Sequence, residues 1–175
     1  SLDYNGAEIR TLLDLCGQKQ PEYDIHEWNI QNVINDLEMT REEAQLYFFA
    51  WLYNPESNDI ESDYYDREKV LDKYYRNGYI HTPYGRKIKV EQRKALNYLI
   101  QSTTADRVLA KAVIIDKMLD GKKSFISQII HDEIIIDYSD EDRDMVIGLR
   151  DIFEDGYLAN LRGGKDCYNF NEIKL

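Results

Sequence analysis

Cysteine is nearly missing from these 175 residues, which hold two, Cys16 and Cys167. Their spacing suits neither a metal-ligand pair nor a redox motif, and no secretory leader is visible. Reduced thiols in a cytoplasmic setting are therefore expected, and a disulfide scaffold is excluded. Long apolar runs are missing as well. The longest, Tyr47 to Tyr53, is far shorter than the roughly 20 residues a bilayer-crossing helix needs, so no membrane role is indicated. No internal repeat, low-complexity tract or linker divides the chain. An excess of positive charge is also lacking: 22 Lys and Arg stand against 33 Asp and Glu, a net charge of −11. A free-standing nucleic-acid binder is usually basic, so the total argues against one.

The charge is unevenly spread. Residues 81–123 hold ten basic against four acidic side chains, whereas residues 132–155 hold two against ten. A positive face on an acidic body fits that distribution, and so does a chance fluctuation on a solvated surface. With 43% hydrophobic residues the chain can bury a real core, and its length suits one domain.

Local signals outline the elements. A strand in the first few residues leads into a short helix over 8–16. Thr40-Arg41-Glu42-Glu43 forms a capping box that opens an apolar helix ending before Pro55. Residues 54–68 read as a polar loop. A helical pattern resumes at Glu68 and breaks at Asn77-Gly78, and Tyr79 to Val90 suits a hairpin about Pro83-Tyr84-Gly85. A long helix follows from about Glu91 to Leu119, closed by Gly121. The strands at the two ends and a hairpin over 124–138 should share one antiparallel sheet backed by that helix, with residues 24–76 as a helical subdomain, giving an α+β fold.

The triplet His131-Asp132-Glu133 lies between two apolar strands. Carboxylates at such a tip are expensive to desolvate unless something binds them, and a divalent metal is the natural candidate. A second acidic patch, Asp3 to Arg10, lies at the other end of the chain. Two aspartates brought together from distant strands offer hard oxygen ligands suited to magnesium. Elsewhere, Arg41, Gln45, Phe49 and Tyr53 recur every four residues as one stripe on their helix, with the two aromatics equally readable as core. Arg93, Asn97 and Gln101 share a face of the long helix, either toward solvent or toward the minor groove of a duplex, whose acceptors are present on every base pair.

Taken in order, these segments resemble the family A DNA polymerases. Asp3 to Arg10 is similar to the motif D-Y-S-x-I-E-L-R, with Asn5 for the serine and Ala7 for the isoleucine. Asp24-Ile25-His26 is similar to the family's D-I-H. Arg41, Gln45, Phe49 and Tyr53 fall on R-x-x-x-K-x-x-x-F-x-x-x-Y-G, with Gln45 for the lysine and Asn54 for the glycine. Thr82 to Arg86 fits T-x-x-G-R, and Arg93, Asn97, Gln101, Thr103, Ala105 and Asp106 fit R-x-x-x-N-x-x-x-Q-x-T-x-A-D. His131-Asp132-Glu133 matches the last palm motif.

The resemblance implies a palm (1–23 and 77–175) with fingers (24–76), acting in template-directed DNA synthesis on primer-template DNA and dNTPs. It implies that Asp3 and Asp132, with the Tyr4 backbone carbonyl, hold two magnesium ions, with Glu133 as an accessory catalytic carboxylate. Glu8 would be a steric gate against a 2′-hydroxyl, with Tyr53 completing that wall. His26, Arg41 and Gln45 would face the phosphates, and Phe49 the incoming base. Arg86, Arg93, Asn97, Gln101 and His131 would meet the DNA. Because the family's thumb and exonuclease regions precede the first motif, an excised fragment of a longer polymerase is expected, weakly active or inactive alone. Gly163-Gly164-Lys165-Asp166 looks like the family's terminal segment. Gln45 cannot supply the charge of the lysine it replaces, which leaves a non-catalytic nucleic-acid-binding relative with degenerate fingers as the alternative.

Overall fold

The computed structural model describes residues 1–166 and 169–173. Cys167, expected to be a reduced thiol, lies outside them; Cys16 is a free thiol. In chain order the elements are β1 (Leu2–Tyr4), α1 (Ala7–Leu15), α2 (Ile25–Asn29), a π-helical turn (Ile30–Ile34), α3 (Arg41–Tyr53), α4 (Arg67–Tyr74), β2 (Tyr75–Arg76), β3 (Tyr79–His81), β4 (Lys87–Lys89), α5 (Gln92–Met118), β5 (Phe125–Ile130), β6 (Glu133–Asp137), a 3₁₀ turn (Asp140–Asp142), α6 (Arg143–Glu154), β7 (Ala159–Gly163) and β8 (Asn171–Glu172). This is the mixed α+β class that the sequence predicts. Among the described residues no helix is long and apolar enough to cross a membrane.

The chain forms two compact units, one of Ser1–Ala7 with Thr104–Leu175 and the other of Glu8–Thr103. The first is built on a five-stranded sheet of order β5-β6-β1-β7-β8. β1 is central, pairing antiparallel with β6 through Leu2↔Ile134 and Asp3↔Glu133, and with β7 through Leu2↔Leu161 and Asp3↔Asn160. The hairpin β5-β6 carries a bulge between Ile126 and Gln128. Leu2, Tyr4, Ile134 and Leu161 meet Val108, Ala112 and Ile115 of α5, Leu119 just after it, and Val146, Leu149 and Phe153 of α6 in one core. The sheet is thus backed by the C-terminal half of the long helix, as expected, and also by α6, whose signal is the spacing of those three apolar residues at i, i+3 and i+7. Tyr4 anchors this core: its ring stacks on Phe153 at 4.0 Å and its hydroxyl donates to the Phe153 carbonyl at 2.7 Å.

The second unit gathers Ile9, Leu12 and Leu13 of α1, Ile25 of α2, Phe48, Trp51 and Leu52 of α3, Val70 of α4, Ile80 of β3 and Leu99 and Ile100 of α5. The capping box at Thr40 forms as read, with Glu43 N–H donating to Thr40 Oγ1 and Thr40 N–H donating back to Glu43. Arg10, with no exposed surface, runs through this core and donates to the Pro21 carbonyl at 2.9 Å and the Tyr23 carbonyl at 2.8 Å. A buried guanidinium satisfied by backbone carbonyls fixes the course of the loop before α2. The fourth helix stops at Tyr74 rather than Arg76: Tyr75 and Arg76 instead pair with Ile80 and Tyr79. The expected hairpin about Pro83-Tyr84-Gly85 is therefore part of a three-stranded sheet, β2-β3-β4. Gly85, at φ 83, takes the left-handed position at which a turn favours glycine.

Candidate functional site

In the first unit the acidic residues of the two chain ends come together. Asp3 lies directly opposite Glu133 across the β1–β6 ladder, so both side chains project from the same face of the sheet. Asp132 occupies the turn immediately before β6. The turn is tight: His131, itself exposed, has φ 53, in a region that non-glycine residues seldom occupy. Burial is the main reason that Asp3 titrates at about 6 instead of in the ordinary carboxylate range. The charge of Arg162 works against this, and the carboxylates of Asp132 and Glu133 add to it. Asp132 is likewise shifted upward, first by burial.

Arg162 is the group that sequence reasoning missed. Its Nη2 lies 2.8 Å from Asp3 Oδ2. The signal was modest: an arginine in the alternating stretch Ala159-Asn160-Leu161-Arg162, on the strand that turns out to flank β1. Tyr4, by contrast, has its side chain committed to the core.

Carboxylate oxygens, partly dehydrated and mutually repelling, are the donors that hard divalent cations favour. Asp3 and Asp132 thus suit a divalent ion chemically. As they stand, among the described residues no three His, Cys, Asp or Glu side chains are gathered into a ready ligand set, and Asp3 is engaged by the arginine.

The second unit holds most of the remaining residues singled out above. Tyr53, the last residue of α3, donates its hydroxyl to Glu8 Oε2, and Gln101 Nε2 donates to Glu8 Oε1 at 3.4 Å. Burial, then the bond to Glu8, raises the Tyr53 pKa and keeps it a phenol. Phe49 stacks one turn earlier, its ring parallel to Tyr53 with centroids 5.8 Å apart. The His26 ring meets Phe49 edge-on at 6.3 Å. His26 is buried, and its Nδ1 has no hydrogen-bond partner among the described residues. Burial and the nearby Arg41 charge lower its pKa, favouring the neutral ring.

Arg41 is held by Asp24: its Nε and Nη2 donate to Asp24 Oδ2 at 2.9 and 2.8 Å. The other oxygen, Oδ1, caps α2 by accepting from His26 N–H and Glu27 N–H. Gln45 is half-buried on α3 between Arg41 and Phe49.

The helix face of Arg93, Asn97 and Gln101 is not uniform. Arg93 is exposed and pairs with Glu91 at 3.2 Å. The Asn97 carbonyl oxygen is buried without a partner among the described residues, and Gln101 is turned to Glu8. Arg86 is exposed, its backbone N–H bound to Thr82 Oγ1 at 3.1 Å.

Two known proteins are similar to this chain. A DNA polymerase of Mycobacterium phage D29 is 28% identical over an alignment of 171 residues, which covers 77% of this chain and 28% of that protein. The POL domain of Pol1 from M. smegmatis, solved in complex with DNA primer-template and dNTP, superposes with a TM-score of 0.66 over 89% of this chain and 36% of that one, at 18% identity. The chain is thus similar in sequence to a phage DNA polymerase and shares the fold of a polymerase domain. No family model matches it. It spans little more than a quarter of the length of the phage polymerase it matches.

Proposed function

We propose that this chain is the catalytic palm and fingers portion of a DNA-directed DNA polymerase, joining deoxynucleotides to a primer 3′-hydroxyl on a template. The observation that carries the reading is the register Asp3↔Glu133 beside Asp132. Carboxylates from opposite ends of the sequence share one sheet face, as nucleotidyl transfer requires.

In this reading Asp3 and Asp132, with the Tyr4 carbonyl, would hold two magnesium ions. When bound, such ions neutralise phosphate charge and make a hydroxyl more acidic. The protein's own groups orient the substrates. Glu8, fixed by Tyr53 and Gln101, forms a wall where a ribose 2′-hydroxyl would project, which favours deoxynucleotides. Phe49 offers a ring face to the incoming base. His26, its Nδ1 without a partner among the described residues, and Arg41 face the triphosphate, Arg41 with its charge already shared with Asp24. Arg86, Arg93, Asn97 and His131 meet the primer-template. Phosphoryl transfer depends chiefly on positioning and charge neutralisation, so loss of either aspartate is expected to be severe.

The test is primer extension by a polymerase containing this segment at its natural length, with and without Mg²⁺. Asp132→Asn should abolish extension; unchanged extension would remove the assignment. A second reading, a nucleic-acid-binding relative without catalysis, is favoured by Gln45 where the family carries lysine. Retained DNA binding without metal-dependent extension by the wild-type protein would select it.

A further inference from the structure

We propose that Arg162 is an intramolecular competitor for the cation site, its guanidinium taking the ion's place on Asp3, so that a divalent ion gains that carboxylate only by displacing it. The inference rests on the reading of Asp3 and Asp132 as cation ligands.

Strand geometry puts the arginine there. Asp3 pairs with Asn160 on β7, and Arg162 is two residues further along the same strand, on the same face as a diagonal neighbour of Asp3. The neighbouring backbone holds the register: Arg162 N–H donates to the Ser1 carbonyl at 2.9 Å, and the Ser1 amino group donates to the Arg162 carbonyl at 2.6 Å. With the strand fixed, a 2.8 Å contact between guanidinium and carboxylate is a charge-assisted bond of ordinary strong geometry.

The partners differ in freedom. The Asp3 side chain is 18% exposed and the Arg162 side chain 39%. Asp3 belongs to a three-residue central strand paired on both sides and cannot leave without unpairing it. Arg162 is the member that can swing away, since its long stem reaches toward solvent without disturbing the sheet. The guanidinium pairs with Asp3 and its charge also reaches Asp132, so its departure leaves two carboxylates that a divalent ion is suited to neutralise. In the absence of metal the arginine limits repulsion among these carboxylates; in its presence the two cations exclude each other from the same oxygen.

The experiment is Mn²⁺ titration of the 175-residue chain, followed by water-proton relaxation, for the wild type, Arg162→Gln, Arg162→Lys, Asp3→Asn and the Arg162→Gln/Asp3→Asn pair. Melting curves in EDTA and in Mn²⁺ accompany each. Arg162→Gln should bind Mn²⁺ roughly twofold to fivefold more tightly than the wild type, the scale of removing one partly exposed competing charge. It should melt lower in EDTA and gain more from Mn²⁺. Adding Asp3→Asn should erase the gain. Arg162→Lys keeps the charge but not the fork and should fall between, which decides the question if the glutamine variant does not fold. Affinity equal to or below the wild type in both arginine variants overturns the proposal, while weakened binding in Asp3→Asn would show that the cation reading survives it. If Asp3→Asn leaves Mn²⁺ binding unchanged, the cation reading itself fails and this inference with it.

Discussion

Tyr53 donates its phenolic hydrogen to the Glu8 carboxylate, tying the last residue of α3 to the second residue of α1. Gln101 donates to the other oxygen, so the carboxylate is held from two sides and its position is defined. If this carboxylate is the wall against a 2′-hydroxyl, Glu8→Ala should raise incorporation of ribonucleotides relative to deoxynucleotides by about tenfold or more, because a specific steric and polar exclusion is lost. Tyr53→Phe keeps the ring and removes the tether, so its effect should be in the same direction and smaller. Competing ribo- and deoxynucleotides in primer extension measure both. An unchanged ratio for Glu8→Ala would reject the gate.

Asp3 gives a prediction that needs no substrate. Its folded-state pKa of about 6 lies above the 3.8 of an unperturbed aspartate, so between these values the folded chain holds a proton that the unfolded chain has released. Stability from this group is complete below about pH 4 and is lost as pH rises through 6. Asp3→Asn, neutral throughout, should lack that decline. Melting temperatures from pH 4.5 to 7.5 in EDTA should therefore converge at the acidic end, with the wild type falling away from the variant as pH rises. Mg²⁺ at pH 7.5 should raise the melting temperature of the wild type more than that of Asp3→Asn.

Much of the fold was legible because its strongest signals are local. The capping box at Thr40 set the start of α3, and the two short apolar stretches flanking His131-Asp132-Glu133 set the hairpin that carries Asp132. The motifs pointed to Asp3 and Asp132, whereas the pairing of Asp3 with Glu133 follows from no local rule, the two being 130 positions apart. Arg162 escaped because its meaning comes from β7 lying beside β1, and sheet order is a tertiary property. Gln101 looked like a solvent or groove residue by helical spacing. Its bond to Glu8 depends on where α1 and α5 run within their unit. The break at Tyr75 was lost for another reason: the helical pattern runs on, but pairing with Ile80 outcompetes it.

Asp24 serves two partners with two oxygens, capping α2 through Oδ1 and holding Arg41 through Oδ2. Asp24→Ala removes both and should destabilise the chain by about 1–2 kcal/mol, a cap being worth about 1 kcal/mol and a half-exposed ion pair less. Asp24→Asn keeps an oxygen for the cap and loses the charge, so it should cost under about 1 kcal/mol. Urea unfolding separates the two. Equal losses would mean that the cap contributes nothing.

Arg67 fastens the far end of α3. Its Nη1 donates to the carbonyls of Trp51 at 2.7 Å and Asn54 at 3.0 Å, its Nη2 donates to the Ser57 carbonyl, and its guanidinium lies over the Trp51 ring at 4.2 Å. These carbonyls belong to the helix C-terminus and the loop after it, where acceptors lack intrahelical partners and a cation is favoured. Arg67→Ala leaves them to water and removes the stacking, and should cost about 2–3 kcal/mol. Arg67→Lys, a single donor centre in place of a planar fork, should recover less than half of that. Tyr53 lies between Trp51 and Asn54, so loosening this end should also expose its backbone amide. Hydrogen exchange at Tyr53 and its neighbours should accelerate in Arg67→Ala more than exchange at Ala44 near the start of the helix. Uniform acceleration along α3 would instead mean that Arg67 stabilises the unit as a whole and does not fasten this end.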